Sequence, residues 1–220
     1  MILEKGIYAY LWQSYFENNC NSYILGEGQA ILVDVGHQRH LSHLRQGMEA
    51  DGVSIDRIDL IVITHCHPDH VEALPSFLDG RIKATYHQED EIYLRQGGAL
   101  VPVMGSPAVP IPVEFYLQEG SLEIGSDLYE IIHTPGHSPG GVCIYWPEKK
   151  VLVTGDLVFA GGVGRTDLPG GDNRQLIESI ERIRGLDVEI LLPGHGEIIL
   201  GRDRIQENFT FIEENYYAFL

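Results

Sequence analysis

Short apolar runs alternate with stretches of helical periodicity along this chain, a pattern that predicts a layered α/β protein. Residues 21–25 and 30–35 predict a hairpin around the turn Gly26-Glu27-Gly28-Gln29. The run 58–63 is typical of a buried strand. Further strands are expected at residues 82–87, 114–117, 121–124, 127–134, 142–146, 151–155 and 188–192.

Several of the predicted helices carry recognisable end signals. Leu41, Leu44 and Met48 recur at helical spacing, and Gly52 fits a stop just after the helix. Further helical segments are expected at residues 71–78, which are amphipathic, and at residues 88–96. A helix over residues 173–184 has a capping-box-like start at Asp172 and Gln175 and a stop at Gly185. The last helix is expected at residues 202–218, with one apolar face formed by Ile205, Phe209, Ile212 and Tyr216.

One segment fits neither pattern. Residues 97–112 contain four prolines and three glycines, which predicts a long irregular loop. Long loops in compact domains are usually functional lids or disordered segments, and an inert surface excursion is an equal alternative here.

Composition narrows the class of protein and of partner. The 220 residues are 44% hydrophobic and 21% charged, as in ordinary soluble domains, and the net charge is −17. Such a surface disfavours nucleic acid and anionic membranes, so a small-molecule substrate is expected. The three cysteines have no CxxC spacing, and we see no signal peptide or membrane-spanning run. A cytoplasmic location is therefore expected.

The strongest chemical signal follows the strand 58–63. His65 and His67 are two residues apart, so in extended chain both side chains point to one side, while Cys66 points away and is expected to pack inertly. Pro68 keeps His67 extended and bends the chain after it. The next residues, 69 and 70, are Asp and His and can face a second ion.

Three further polar residues share one context. His137, Asp156 and His195 each follow a predicted strand and lie in a glycine-rich turn, where the backbone can approach a site closely. Three imidazoles around one ion leave room for water, as catalytic zinc requires. The first predicted metal site consists of His65, His67 and His137, and the second of Asp69, His70 and His195. Asp156 can bridge the two sites. The remaining histidines are not expected to be ligands: His37, His40, His43, His87 and His133.

The pattern HxHxDH followed by His, Asp and His resembles the metallo-β-lactamase fold superfamily over residues 21–201. The resemblance implies a four-layer αββα sandwich of two mixed sheets, here a single domain over residues 1–220, with metals at one edge. It implies two divalent ions, zinc in the first place, with iron or manganese as alternatives. Asp34 matches an aspartate that orients a metal-bound histidine in that superfamily.

Within the superfamily, the segments 164–171 and 193–196 resemble the short glyoxalase II-like hydrolases. Full-length glyoxalase II adds a helical domain that binds glutathione, whereas only 220 − 195 = 25 residues follow His195. Glutathione specificity is therefore not implied. The Gly-Arg-Thr-Asp segment 164–167 also resembles the persulfide dioxygenases, mononuclear iron enzymes in which positions matching His65, His137 and Asp156 bind the metal.

The predicted function is metal-dependent hydrolysis of a thioester. Zinc lowers the pKa of bound water to about 7, and a thiolate can leave without a proton, unlike an amide nitrogen. Asp69, Asp156 and Arg165 are the candidate catalytic residues, and Arg165 is expected either to bind an anionic thioester or to pair with an acidic neighbour such as Asp167.

Other classes fit less well. A nuclease would need a basic face, a secreted β-lactamase would need export, and a flavodiiron protein would have an acidic residue at the position of His67 and an added flavin domain. A metal-binding module without activity remains an alternative, although the open three-histidine site argues against it.

Overall fold

The fold is built on two six-stranded mixed sheets that pack face to face. The computed structural model describes residues 1–14, 16–78, 80–96 and 113–220, so the predicted loop 97–112 lies outside the described residues. The strands of the first sheet are β1 (Ile2–Glu4), β2 (Ile7–Tyr10), β3 (Ser22–Leu25), β4 (Ala30–Val33), β5 (Ile58–Val62) and β6 (Lys83–Thr85). They lie side by side in chain order; β4, β5 and β6 are parallel and the others antiparallel.

The second sheet is formed by the later part of the chain. Its strands are β7 (Gly120–Ile124), β8 (Asp127–His133), β9 (Val142–Trp146), β10 (Val151–Gly155), β13 (Ile190–Pro193) and β14 (Ile199–Leu200). A small separate pair consists of β11 (Val158–Phe159) and β12 (Gly162–Val163). In the second sheet β10 and β13 are parallel neighbours, and the remaining pairs are antiparallel.

Helices cover the two outer faces of this pair of sheets. On the first sheet lie α1 (Leu41–Ala50), α2 (Pro68–Val71) and α3 (Gln88–Arg95), and on the second lie α4 (Asn173–Arg184) and α5 (Arg202–Tyr216). Of the helices in the described part of the chain, none combines the length and apolar character that crossing a lipid bilayer would require.

Strand β4 shows how the sequence produces these layers. Ile31 and Val33 point into the apolar core between the sheets, while Ala30 and Leu32 point into the core under the first helical layer. All four side chains are fully buried, which is why this strand is a continuous apolar run instead of an alternating one. The predicted four-layer αββα sandwich, as a single domain, is confirmed.

Two element predictions are wrong. Residues 114–117 form no strand; Leu117 makes only an isolated bridge to His87. The segment 71–78 is not one helix, because α2 ends at Val71 and a 3₁₀ turn follows at Leu74–Ser76. Pro75 lacks the backbone N–H that a continuous helix would need. Strands β1, β2, β11, β12 and β14 were not predicted.

Candidate metal centre

The stretch after β5 adopts the geometry that its sequence predicts. His67 is extended (φ −72°, ψ 147°) and Pro68 begins α2 at the next position. His65 and His67 point to the same side, with ring centroids 4.7 Å apart. Cys66 instead packs into the apolar core beneath the helices, and burial raises the pKa of its thiol well above the ordinary value. Cys66 is therefore a packing residue.

The other three predicted ligands come from the second sheet. His137 lies in the turn between β8 and β9, while Asp156 and His195 follow the parallel strands β10 and β13. Because parallel neighbours end at the same sheet edge, these side chains face the HxHxDH segment. Gly194 allows the close approach: a Cβ there would lie 2.2 Å from an Asp156 carboxylate oxygen.

The first predicted set of ligands is assembled. His65, His67 and His137 are buried and place one ligand atom each within 4.8 Å of one another. His67 Nδ1 lies 2.9 Å from His137 Nε2. Asp156 Oδ2 is 3.5 Å from His137 Nε2, so the carboxylate adjoins this set.

The second predicted set is equally compact. His70 Nε2 and His195 Nε2 are 3.3 Å apart, and Asp69 Oδ2 lies 3.2 Å from His195 Nε2. Asp156 Oδ1 is 3.3 Å from His70 Nε2, and Oδ2 is 3.4 Å from His195 Nε2. Since its two oxygens face both sets, Asp156 has the position of a bridging ligand.

Unpaired polar atoms test whether metal fits this site. Among the described residues, His65 Nε2, His67 Nε2, Asp69 Oδ1 and Asp156 Oδ1 are buried and have no hydrogen-bond partner. Buried polar atoms without partners are costly in a finished protein, and metal coordination would satisfy them. Imidazole and carboxylate donors suit zinc, iron and manganese alike. The donor set thus fits divalent metal, and its identity stays open.

The charges of the metal-free site differ between the two sets. Burial holds the pKa of His65 well below its ordinary value and lowers that of His67 to about 3, so both imidazoles are neutral donors. Burial also opposes charging of His195, but Asp156 and Asp69 outweigh it and raise the His195 pKa to about 10. Burial likewise opposes charging of His70, but its buried neighbours, Asp156 foremost and Asp34 among them, outweigh burial and raise the His70 pKa. Metal entering the second set must therefore displace protons.

Buried acceptors hold the histidine rings and their backbone in place. Asp34, predicted to orient a histidine, accepts hydrogen bonds from Thr64 N at 2.7 Å and from Thr64 Oγ1 and His70 Nδ1 at 2.8 Å. The backbone carbonyl of Arg165 lies 2.7 Å from His137 Nδ1. These contacts fix the orientation of the rings that face the metal positions.

Sequence reasoning missed two residues that support the site. Asp90 accepts hydrogen bonds from the backbone N–H groups of Cys66 and Gly140, both at 2.6 Å, and so ties the HxHxDH segment to the His137 turn. Asn21 donates through Nδ2 to the carbonyls of Pro193 and Gly196, both at 3.0 Å, on either side of His195. Asp90 is one of three successive acidic residues, and Asn21 is one of several nearby asparagines. No sequence pattern therefore distinguishes either residue from its neighbours.

Cys20 is a third buried neighbour of the site. Its thiol lies within 4.8 Å of ligand atoms of Asp34 and His70. Burial, against the influence of His70, raises the pKa of the Cys20 thiol far above its ordinary value. Since only a thiolate is a good metal ligand, Cys20 is a neutral packing residue here.

Arg165 is placed differently from the seven predicted metal ligands. Its guanidinium forms a two-point pair with Asp167, with Nε–Oδ1 and Nη2–Oδ2 distances of 2.8 and 2.9 Å. Of the two expectations for Arg165, pairing with an acidic neighbour is therefore the one observed. Binding of substrate by Arg165 stays a prediction. The five histidines not expected to be ligands lie outside the ligand groups found among the described residues: His37, His40, His43, His87 and His133.

Comparison with known proteins agrees with this geometry. A family model described as the metallo-β-lactamase superfamily matches residues 15–195. The chain belongs to the metallo-β-lactamase superfamily.

Relatives within the superfamily are similar over most of their length. The chain is 35% identical over 213 residues to the "Probable metallo-hydrolase MJ0888" of Methanocaldococcus jannaschii, covering 90% of this chain and 94% of that protein. It is 32% identical over 189 residues to the "Hydroxyacylglutathione hydrolase GloC" of Haemophilus influenzae, covering 82% and 86%.

Solved superfamily structures include two with similar coverage. TTHA1623 in a di-iron-bound form has a TM-score of 0.69 and 32% identity, covering 91% of this chain and 95% of that one. The B3 metallo-β-lactamase BLEG-1 has a TM-score of 0.72 and 30% identity, with the same coverage. One fold therefore carries more than one chemistry, and the substrate must be argued from the site.

Proposed function

We propose that this protein is a binuclear metallo-hydrolase that cleaves thioesters of small molecules. The observation that carries the proposal is the pair of ligand sets on either side of Asp156. The relative named hydroxyacylglutathione hydrolase supports thioesters as the substrate class.

The roles of the residues follow from their positions. Divalent metal held here would supply a hydroxide nucleophile at neutral pH and polarise the substrate carbonyl. Asp69 and Asp156 contribute negative charge that keeps the site close to neutral, and the histidines contribute neutral donors once metal displaces their protons. Asp34 and the Arg165 carbonyl hold His70 and His137 in orientation, so that little reorganisation is needed during reaction.

The leaving group favours thioesters over amides. An amide nitrogen must be protonated to depart, whereas a thiolate leaves as the conjugate base of an acid with a pKa of about 8.5. The amide side chain of Asn18 donates to Asp69 Oδ2 at 2.7 Å and is no proton source. Asp69, with its pKa below the ordinary value, is likewise deprotonated, burial being outweighed by His195 and His70.

The completeness of the second set supports a hydrolase over the persulfide dioxygenase. A mononuclear iron enzyme needs only the positions of His65, His137 and Asp156. In this chain Asp69, His70 and His195 are assembled as well, and His195 adjoins solvent with 26% of its side chain exposed.

Substituting His195→Ala separates these two functions. For a binuclear hydrolase, we expect bound metal to fall from about two ions toward one, with kcat/KM for a thioester falling at least tenfold because one ligand set is broken. Metal is measured by elemental analysis, and His87→Asn, outside both sets, is the control. Glutathione persulfide driving oxygen uptake in an oxygen electrode, unaffected by His195→Ala, would support the dioxygenase instead.

A further inference from the structure

The two metal positions differ in how much space lies beside them. The cavity lined by His65, His137 and Asp156 has a volume of about 10 Å³, which is room for about one water. A second cavity, which we call the His195 cavity, has a volume of about 560 Å³. Its described lining residues are Leu11, Trp12, Gln13, Ser14, Glu17, Asn18, Asn19, His195, Gly196 and Glu197. Of these two cavities beside the metal positions, only the His195 cavity has room for the body of a substrate.

The charges around the His195 cavity are acidic. Glu17 and Glu197 line it, and no lysine or arginine is among its described lining residues. The segment 97–112 contains no charged residue, so wherever it lies it adds none. The guanidinium of Arg165 is already paired with Asp167.

His40 lies beside Glu17, outside the described lining of the cavity, and does not compensate for its negative charge. His40 Nε2 lies 4.0 Å from a Glu17 carboxylate oxygen. Burial lowers the pKa of His40, so its imidazole is neutral at pH 7. The described lining of the cavity thus presents the carboxylates of Glu17 and Glu197 together with His195, which is a neutral donor once metal has displaced its proton.

The aromatic part of the wall is held rigidly against the metal centre. The Trp12 indole N–H donates to the carbonyl of Glu17 at 2.7 Å, and the ring contacts His40 with centroids 4.4 Å apart. The Trp12 backbone N–H donates to Asn21 Oδ1 at 2.9 Å, and Asn21 in turn holds the turn around His195. Trp12 lines the same cavity as Glu17 and Glu197. An indole and carboxylates on one wall favour a neutral or cationic group and disfavour a carboxylate.

We propose that the His195 cavity binds the part of the substrate remote from the scissile bond, and that Glu17 and Glu197 select a neutral or cationic group there over a carboxylate. The inference deepens the proposed thioester hydrolysis and rests on it. It departs from the expectation of an anionic thioester, and it argues against the thioesters of glutathione, whose thiol part carries two carboxylates.

Binding of three small thiols, each with a two-carbon link between its sulfur and its polar group, tests the proposal without requiring turnover. Cysteamine is cationic, 2-mercaptoethanol neutral and 3-mercaptopropionate anionic, and each can place its sulfur at the metals. Their affinities for the metal-loaded protein are measured by titration calorimetry at low salt. The variants are Glu17→Gln with Glu197→Gln as a double substitution, and Glu123→Gln, which removes one charge at a separate cavity.

The expected result is a change in the affinity ratio of cysteamine to 3-mercaptopropionate. Two carboxylates in a solvated cavity are expected to shift this ratio by roughly tenfold at low salt. In the double variant the affinity ratio of cysteamine to 3-mercaptopropionate should therefore fall about tenfold. The affinity for 2-mercaptoethanol and the metal content should not change, and Glu123→Gln should keep the wild-type ratio.

Two results would overturn the charge selection: a ratio unchanged in the double variant, or an equal loss in Glu123→Gln. Hydrolysis of the S-acetyl derivatives of the same thiols is measured separately. Absence of hydrolysis with the shift in binding ratio intact would reject the thioester function and leave the selectivity of the cavity standing.

Discussion

At the scale of single residues, two buried aspartates hold the backbone of the HxHxDH segment at separate points. Asp34 accepts the N–H of Thr64, and Asp90 accepts the N–H of Cys66. Asp34 has a positive φ of 55°, a conformation that aspartate tolerates better than most residues. The predicted metal ligands are therefore positioned by carboxylates that belong to neither predicted ligand set.

We expect Asp90→Ala to lower both stability and metal content. The substitution leaves the buried N–H groups of Cys66 and Gly140 without an acceptor, which costs about 2–4 kcal/mol in the free energy of unfolding. It also frees the His137 turn from the HxHxDH segment, so metal should be lost first from the set containing His65 and His137. Urea unfolding and elemental analysis measure the two effects.

The matched control for Asp90 is its neighbour on the same helix. Glu89→Ala removes the same charge from an exposed position and should change the free energy of unfolding by less than about 0.5 kcal/mol. An Asp90→Ala protein with full metal content would show that Asp90 serves the fold alone.

The sequence predicts most of the site because its ligands obey local rules. The spacing of His65 and His67, Pro68 after them, and glycines beside His137 and His195 are all visible in the chain. What residue patterns do not reveal is which polar residue turns inward. Asp90 is nearly fully buried beside exposed Glu89, and only the packing of α3 against the ligand turns makes the difference.

At the scale of elements, the shortest strands are the hardest to predict from sequence. Strands β5 and β9 have five residues each, four of them apolar in β5 and all five in β9, and the sequence predicts both. Strands β11, β12 and β14 have two residues each and give no periodic signal. The run 114–117 is rich in strand-forming residues, but Phe115 is 40% exposed and only Leu117 finds a bridge partner. Local propensity is outweighed there by the available pairing.

The start of α3 provides a test of pH dependence. His87 Nδ1 accepts the N–H of Glu89 at 3.3 Å, and its ring stacks on His133 with centroids 4.0 Å apart. Burial first, and then His133, lowers the pKa of His87 to about 4. In the unfolded chain the His87 pKa is near 6.5, so the unfolded state takes up the proton first as pH falls.

We therefore expect the free energy of unfolding to fall between about pH 6.5 and pH 4 through this residue, by about 1–2 kcal/mol after allowance for solvent screening. His87→Asn keeps a capping acceptor but cannot titrate, so its loss of stability over this range should be smaller by that amount. Urea unfolding at pH 7 and pH 4.5, with a chelator present in both proteins, measures the difference. An identical loss in the two proteins would show that His87 is not the titrating group.

At the scale of the whole molecule, the metal centre joins the two halves of the sandwich. The first sheet and its helices contribute the ligands of residues 65–70, and the second sheet contributes His137, Asp156 and His195. The first-sheet strand β3 reaches the same region, since Tyr23 donates its hydroxyl to the Pro193 carbonyl at 2.6 Å. Metal bound by both halves should therefore be coupled to the stability of the entire fold.

Removal of metal is expected to destabilise the protein as one unit. A ligand that binds only the folded state at a hundredfold excess over its Kd stabilises that state by about 2.7 kcal/mol. For a domain of 150–250 residues, each kcal/mol shifts Tm by about 2–4 °C, so a chelator should lower Tm by about 5–10 °C. Differential scanning fluorimetry with and without chelator measures the shift, and Glu89→Ala should show the same shift as the wild type.

The substitution Asp156→Ala distinguishes stabilisation by bound metal from a general loss of stability. Asp156 is the carboxylate between the two ligand sets, so its loss should weaken both, and the chelator should then shift Tm by less than half of the wild-type value. Without metal, Asp156→Ala should have a Tm close to that of the metal-free wild type. In the metal-free wild type the Asp156 carboxylate is a buried charge that needs His70 and His195 as partners, so removing it costs little stability. If the chelator shifted Tm equally in the variant and the wild type, the stabilising metal would have to bind elsewhere than between the two halves.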